Sequence, residues 1–264
     1  MPVIYEPKGR ALEYSLLAIN HWKGCTHGCF YCYAKKMAVQ YGQDFENVTP
    51  KKDIIAQLIK EAPKYAGTNK RVLLSFMSDP YPEIEKKERL THAVIQILSQ
   101  HKTPFQVLTK AGTRAVDDFE LYGPNDAFAT TLTYLQDDGK ALEAEPGAAL
   151  PSNRIDAIRL AHARGIETWV SLEPVLGPDE SLAIIKETHE IVDLYKIGKL
   201  NHVSNGTNWR AFGIEAVEMC QKFGKRYYVK DDLAAYMQGF EFHSCDTRRI
   251  NRKEYDESLL DTQY

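Results

Sequence analysis

Cys25, Cys29 and Cys32 stand in the run Gly24-Cys-Thr-His-Gly-Cys-Phe-Tyr-Cys-Tyr33, and no fourth cysteine lies nearby. Thiolates are soft ligands that select zinc, copper(I) or iron–sulfur clusters. A structural zinc site normally closes with four ligands. A cubane cluster has four irons, so three cysteines leave one iron open to a substrate or a second cofactor. Zinc is the alternative, with His21 or His27 as a fourth ligand. The spacing matches no common zinc finger, and no second cysteine pair follows within about 20 residues. A disulfide framework is not expected, because five cysteines in 264 residues are sparse and odd in number.

Such a loop needs a scaffold. The composition, 44% hydrophobic and 26% charged, is that of an ordinary globular chain. Apolar, β-rich runs alternate with helical patterns, which argues for parallel βαβ units. The runs are 15–22, 71–77, 105–109, 127–134, 167–176 and 194–200, with 226–230 a short final strand. Helices are expected over 33–41 with 51–61, and over 85–100, 114–122, 152–164, 180–192 and 209–223. Gly165 and Gly224 fit helix C-caps, and Ser152 fits an N-cap. The expected fold class is α/β, a partial (β/α)6 barrel in one domain over residues 1–264, with residues 225–264 as a C-terminal extension. The cysteine loop follows the first strand and would sit at the barrel mouth, where the C-terminal strand ends gather reactive groups.

The strand ends carry polar residues. Ser78-Asp79-Pro80-Tyr81 follows the second strand, and Thr109-Lys110 ends the third. Thr130, Thr131 and Thr133 lie on the fourth, and Ser171 and Glu173 on the fifth. Lys196, Lys199, Asn201 and His202 surround the end of the sixth. Each also has a plain structural reading. Ser78-Asp79-Pro80 makes a turn or helix cap, Lys110 a solvated strand end, and the threonines good strand formers. Glu173 sits in an apolar run, and a buried carboxylate demands a partner. Their shared placement on one rim favours a functional set. The loop 201–206 is polar and suits either substrate contact or a simple connection.

The CxxxCxxC run with its aromatic neighbours, followed by Ser-Asp-Pro-Tyr, Leu-Thr-Lys, Glu145-Pro146-Gly147-Ala148 and Arg154-Ile155, resembles the spore photoproduct lyase-like branch of the radical S-adenosylmethionine (SAM) superfamily. The likeness covers roughly residues 15–205. It implies that Cys25, Cys29 and Cys32 hold a [4Fe–4S] cluster and that the open iron binds SAM. Cleavage of SAM would give a 5′-deoxyadenosyl radical that abstracts a substrate hydrogen. It also implies that Tyr31 lies beside the SAM adenine and that Ser78 and Asp79 meet the SAM amino group. Lys110 would reach the SAM carboxylate or ribose, Thr131 would offer a ribose-binding hydroxyl, and Glu173 would help hold the adenosine. A flavodoxin or ferredoxin-type electron donor and a nucleic acid or nucleotide substrate follow by the same analogy. A peptide or small-metabolite substrate, and a non-catalytic metal-binding interaction module, are the alternatives. The chain departs from the lyases at Phe76 and Met77, where they carry a thiol hydrogen donor, so repair of spore photoproduct itself is not expected.

Cys245 is the candidate catalytic thiol, as a hydrogen donor or radical relay, against the plainer reading of a solvent-exposed thiol. Cys220 reads as a small core residue. Tyr33, Tyr81, Tyr134, Tyr227 and Tyr228 suit radical relay or aromatic packing. Net charge of −3 argues against long duplex DNA. Arg248, Arg249, Arg252 and Lys253 form a local basic patch, either a solvated tail or a phosphate contact. With no apolar stretch long enough for a leader or a membrane span, a reducing, cytoplasmic location is expected.

Overall fold

The computed structural model describes residues 2–68, 70–201 and 206–242. Cys245, the basic patch at 248–253 and His202 therefore lie outside the described residues.

Eight strands form one sheet: β1 (Ile4–Tyr5), β2 (Leu17–Ile19), β3 (Val72–Leu74), β4 (Phe105–Thr109), β5 (Ala127–Thr131), β6 (Glu167–Leu172), β7 (Leu194–Ile197) and β8 (Arg226–Val229). They lie in chain order, β1 antiparallel to β2 and every later neighbour parallel. The expected partial α/β barrel is present, and β8 extends it as a seventh parallel strand. The main helices are α1 (Tyr33–Gln40), α2 (Ile54–Glu61), α3 (Leu90–Gln100), α4 (Pro151–Ala163), α5 (Pro178–Thr188) and α6 (Trp209–Lys222).

Alternation along the strands builds two different faces. Residues such as Ile19, Leu74, Val107, Phe128, Val170 and Ile197 pack outward against the helices in one large core, where Cys220 of α6 is also buried. The inward set is small: Ala18, Leu73, Ala127, Ala129 and Trp169, with Tyr14 and Phe76 packed against them. Alanines on the concave side leave room for that indole and for long polar side chains.

The two ends of the curled sheet meet. A short 3₁₀ helix, Gly9–Glu13, precedes β2 at one end, and residues 230–232 follow β8 at the other. Arg10 pairs with Asp232 at 2.5 Å, and the Asp231 amide donates to Glu13 Oε1 at 2.7 Å. Lys196 of β7 donates to the carbonyls of Glu13 (3.1 Å) and Tyr14 (2.7 Å). These side-chain and backbone contacts close the seam between the two ends of the sheet.

Several element limits differ from expectation. The run 85–100 is two helices, because Arg89 adopts φ +53 and the Glu85 carboxylate turns back to accept from the Thr91 and His92 amides. Residues 112–121 form a 3₁₀ helix rather than an α-helix. Ser152 lies inside α4; Pro151 occupies the first turn behind Leu150, where its missing N–H costs nothing. Gly165 (φ +73) and Gly224 (φ +66) do follow their helix ends in the left-handed region.

Candidate active site

The cysteine loop lies just beyond the C-terminal end of β2, between the ends of β3 and β4. Its backbone is held from several sides. The Cys25 amide donates to the Phe45 carbonyl (2.7 Å), and Ser78 Oγ donates to the Gly24 carbonyl (2.6 Å). The Phe30 amide donates to the Ala144 carbonyl (3.1 Å), and the Gly147 amide to the His27 carbonyl (2.8 Å). Cys32 caps α1, its Sγ accepting from the Lys35 amide at 3.4 Å. Cys29 and Cys32 open into a shallow pocket that Phe30, Lys35, Lys36 and Val39 complete.

Asp79 organises the floor. Its Oδ1 accepts from Thr109 Oγ1 (2.7 Å) and the Tyr81 amide (2.8 Å), and Oδ2 accepts from the Lys110 amide (2.8 Å). His27 Nδ1 stands 3.6 Å from the same Oδ2. Burial opposes ionisation of Asp79, but His27 and these hydrogen bonds outweigh it and keep its carboxyl below the usual range. Both oxygens are thus engaged by the protein, so a ligand amino group would have to share them.

A second carboxylate, Glu145, is almost wholly buried. It pairs with Arg154 at 2.5 Å and accepts the Tyr31 hydroxyl. Arg154 also donates to the carbonyls of Ala149 (2.7 Å) and Thr131 (3.0 Å), which joins α4 to the end of β5. Lys110 Nζ stands 5.5 Å from the centroid of the Tyr31 ring, a cation–π arrangement. Burial works against the Lys110 charge, yet Cys29 and Glu145 raise its pKa above the ordinary lysine value. Glu145 is held below the ordinary carboxyl value, since Lys110 and Arg154 outweigh its burial.

Cys25, Cys29, Cys32, Tyr31, Ser78, Asp79, Lys110 and Thr131 therefore belong to one connected set. Glu173 belongs to another. It accepts from Tyr14 Oη (2.9 Å), Asn201 Nδ2 (3.2 Å) and Lys230 Nζ. Lys230 in turn lies 3.4 Å above the Tyr14 ring. Tyr33 donates to the Phe76 carbonyl (2.7 Å), and Tyr81 is buried with its hydroxyl on Asp118 (2.8 Å). Sequence reasoning weighed His27 as an alternative zinc ligand, counted Thr109 among the strand-end polar residues and used Glu145 and Arg154 as motif positions, but it gave none of them this role and assigned none to Tyr14 or Lys230. The Glu145 charge, beside Pro146, Gly147 and Ala148, was the available signal; Tyr14 offered none.

A mostly parallel, curled sheet with a three-thiol loop at its C-terminal edge defines an α/β enzyme whose chemistry sits at the strand ends. The chain belongs to the radical SAM superfamily, whose family model matches residues 19–192. It is thus an enzyme of the class that uses a [4Fe–4S] cluster and SAM, and the reading as a non-catalytic module falls. An uncharacterized protein of Methanocaldococcus jannaschii is 28% identical over 188 residues, 69% of this chain and 70% of that one. An uncharacterized protein of Mycobacterium tuberculosis is 28% identical over 180 residues, 64% of this chain and 52% of that one, so the match spans about half of the mycobacterial relative. Among solved structures, a spore photoproduct lyase complexed with dinucleoside spore photoproduct aligns with TM-score 0.63 and 15% identity, covering 86% of this chain and 78% of that one. Streptococcus suis SuiB bound to SAM aligns with TM-score 0.62 and 12% identity, covering 86% and 53%. At such identities the two structures show the fold alone. No helix among the described residues is long and apolar enough to cross a membrane.

The donor set fits a cluster. The three thiols form no disulfide, and they share one loop. Burial, then Asp79 and then Cys29, pushes Cys25 up to about 12. Burial also raises Cys29, with Glu145 and Cys32 adding to it and Lys110 opposing. Burial thus disfavours free thiolates at Cys25 and Cys29, and soft cations are what such a trio can hold as thiolates. Among the described residues no three Cys, His, Asp or Glu side chains are grouped to hold a single metal ion. A cubane asks less of them, because each iron takes one thiolate.

Proposed function

We propose that this chain is a single-domain radical SAM enzyme in which Cys25, Cys29 and Cys32 hold three irons of the cluster and which modifies a nucleic acid or nucleotide by hydrogen abstraction. The observation that carries it is the placement of three unbridged thiols on one loop beside Ser78, Asp79 and Lys110 at the strand ends. When bound, the cluster and SAM together supply a 5′-deoxyadenosyl radical, after one electron arrives from an external donor of the flavodoxin or ferredoxin type.

The chain's own residues would bind, orient and shield. Lys110 offers a cation to the SAM carboxylate or ribose, and the Tyr31 ring offers a face for the adenine. Ser78 and the Asp79-centred turn shape the amino-group end, with Asp79 fixing the Lys110 backbone. Thr131 lies at the ribose side, and Glu173 at the far side of the mouth. Phe76 and Met77 present no hydrogen donor, so the donor differs from that of the lyases; Cys245 is the candidate. The dinucleoside bound by the spore photoproduct lyase neighbour supports the nucleotide class. A peptide or small metabolite is the competing substrate class.

The test is anaerobic. Protein reconstituted with iron and sulfide is mixed with dithionite and SAM, and 5′-deoxyadenosine is measured by chromatography, alone and with dinucleotides, oligonucleotides or peptides. Production of the nucleoside, increased several-fold by a nucleotide, is expected. Bound zinc with no cleavage of SAM would overturn the reading, and stimulation by peptides alone would move the substrate class.

A further inference from the structure

The segment Ala144-Glu145-Pro146-Gly147-Ala148 has no part in the roles above, yet it holds the cysteine loop at several points. The Phe30 amide donates to the Ala144 carbonyl, and the Gly147 amide donates to the His27 carbonyl. Pro146 lies against Gly28, where an added Cβ would come within 3.0 Å of the proline ring. Gly147 packs so closely that a Cβ there would stand 2.2 Å from the Thr26 carbonyl oxygen. Glu145 takes the Tyr31 hydroxyl. The segment is itself fixed to the strand ends: the Ala149 amide donates to the Lys110 carbonyl at 2.9 Å, and Arg154 grips Ala149, Thr131 and Glu145 together.

We propose that Glu145 is a positioning residue: paired with Arg154, it registers the cysteine loop against the ends of β4 and β5, and its buried carboxylate sets the charge balance around the thiols. This rests on the reading of the three cysteines as cluster ligands. Lys110 Nζ stands 5.5 Å from the Tyr31 ring and Glu145 accepts the hydroxyl of the same residue, so a cation and a carboxylate flank the loop between Cys29 and Cys32. Arg154 is matched by Glu145 and Lys35 by Glu46, while Lys110 on the buried side and Lys36 on the pocket side add positive charge beside the loop. Coulombic interaction between such groups is strong where water is excluded, as it is at a side chain 0% exposed like that of Glu145. A cluster held by thiolates gains a further negative charge on reduction, and its potential follows the neighbouring charges. Removing the Glu145 charge therefore frees Arg154 to act with Lys110 and makes reduction easier. Removing the Lys110 charge does the reverse.

Redox titration followed by electron paramagnetic resonance, on reconstituted full-length protein without SAM, tests this. Glu145→Gln keeps the volume and an acceptor for Tyr31, and its midpoint potential should shift to a more positive value at wild-type iron content. Lys110→Met leaves the Glu145–Arg154 pair in place and should shift the potential to a more negative value. Tyr31→Phe cuts the tether but keeps both charges; it should lose iron to a chelator several-fold faster. Potentials equal to wild type in Glu145→Gln overturn the proposal. If that variant does not fold, an unchanged potential in Lys110→Met does so instead. Unchanged iron loss in Tyr31→Phe overturns the tethering role. A wild-type protein that takes up no cluster would instead sink the ligand reading beneath it.

Discussion

The barrel contains two buried quartets, each a glutamate, a tyrosine and two cations, and they do different work. In one, Glu145 pairs with Arg154 and accepts from Tyr31, while Lys110 stands 5.5 Å from the Tyr31 ring. In the other, Glu173 pairs with Lys230 and accepts from Tyr14, while Lys196 stands 5.5 Å from the Tyr14 ring. The first joins a loop to strand ends, and the second joins the two ends of the sheet. Their surroundings differ. The Glu145 and Arg154 side chains are 0% and 1% exposed, whereas Glu173 is 17% exposed and Lys230 2%. Cys29 and Asp79 help balance the cations of the first quartet, and its lysine, Lys110, is pushed above its ordinary value. In the second, two lysines crowd each other. Burial, then repulsion from Lys230, brings Lys196 down to about 7. Similar quartets hold charge firmly at one place and loosely at the other, because hydration and neighbours differ and because the first uses an arginine where the second uses a lysine.

The largest effect should separate the two pairs. Arg154→Met leaves the dry Glu145 carboxylate without its direct ion-pair partner, with only the Tyr31 hydroxyl and the more distant Lys110, and should cost about 3–5 kcal/mol in denaturant unfolding. Glu173→Gln should cost less, about 1–3 kcal/mol, because water reaches that site and Lys230 can shed its proton. The pKa of Lys230 is already lowered, chiefly by burial. In the variant the unfolded chain then binds more protons than the native one at alkaline pH, so its deficit should shrink as pH rises. Equal costs, or a pH-independent deficit in Glu173→Gln, would erase the distinction.

Two glycines sharpen it further. A Cβ on Gly147 would meet the backbone of Thr26 at 2.2 Å and of His27 at 2.9 Å. A Cβ on Gly198 would meet only the Glu173 side chain, at 2.9 Å. Backbone cannot move aside and a side chain can. Gly147→Ala should therefore cost about 2–3 kcal/mol and displace the cysteine loop, while Gly198→Ala should cost about 1 kcal/mol. Thermal unfolding of both, with proteolysis at the cysteine loop, reads the contrast; equal destabilisation would contradict it.

The strand order and the loop position were legible because six apolar runs with intervening helical patterns admit few topologies, and parallel crossovers share one hand. The cysteine trio was legible because its spacing is local. Two-residue strands such as β1 carry no periodicity to read. The break at Arg89 depends on where the Glu85 carboxylate turns, which is a tertiary choice. Glu145 and Arg154 lie nine positions apart and read as separate motif positions, and only burial makes them partners. Lys196 and Tyr14 are bound across 182 residues of sequence, and nothing local foretells that. What the sequence conceals here is the pairing of buried charges, since each partner is chosen by the fold rather than by its neighbours in the chain.

Smallest at neutral pH is the contribution of Lys196. Its native pKa of about 7 stands below the 10.5 of an ordinary lysine, so between those values the unfolded chain holds a proton that the native state has released. Stability must then rise with pH across that window, and the penalty for burying the ammonium is fully present only below pH 7. Lys196→Met removes the titration and keeps an apolar body against Trp169, whose ring lies 4.7 Å from Nζ. It also loses the bonds to the Glu13 and Tyr14 carbonyls, so near neutrality gain and loss should nearly cancel, to within about 1 kcal/mol. Between about pH 7 and pH 9 the wild type should gain about 2 kcal/mol over the variant, read from urea unfolding at each pH. Parallel profiles would mean that Lys196 keeps its proton throughout and that the seam is as firmly charged as the cysteine-loop quartet.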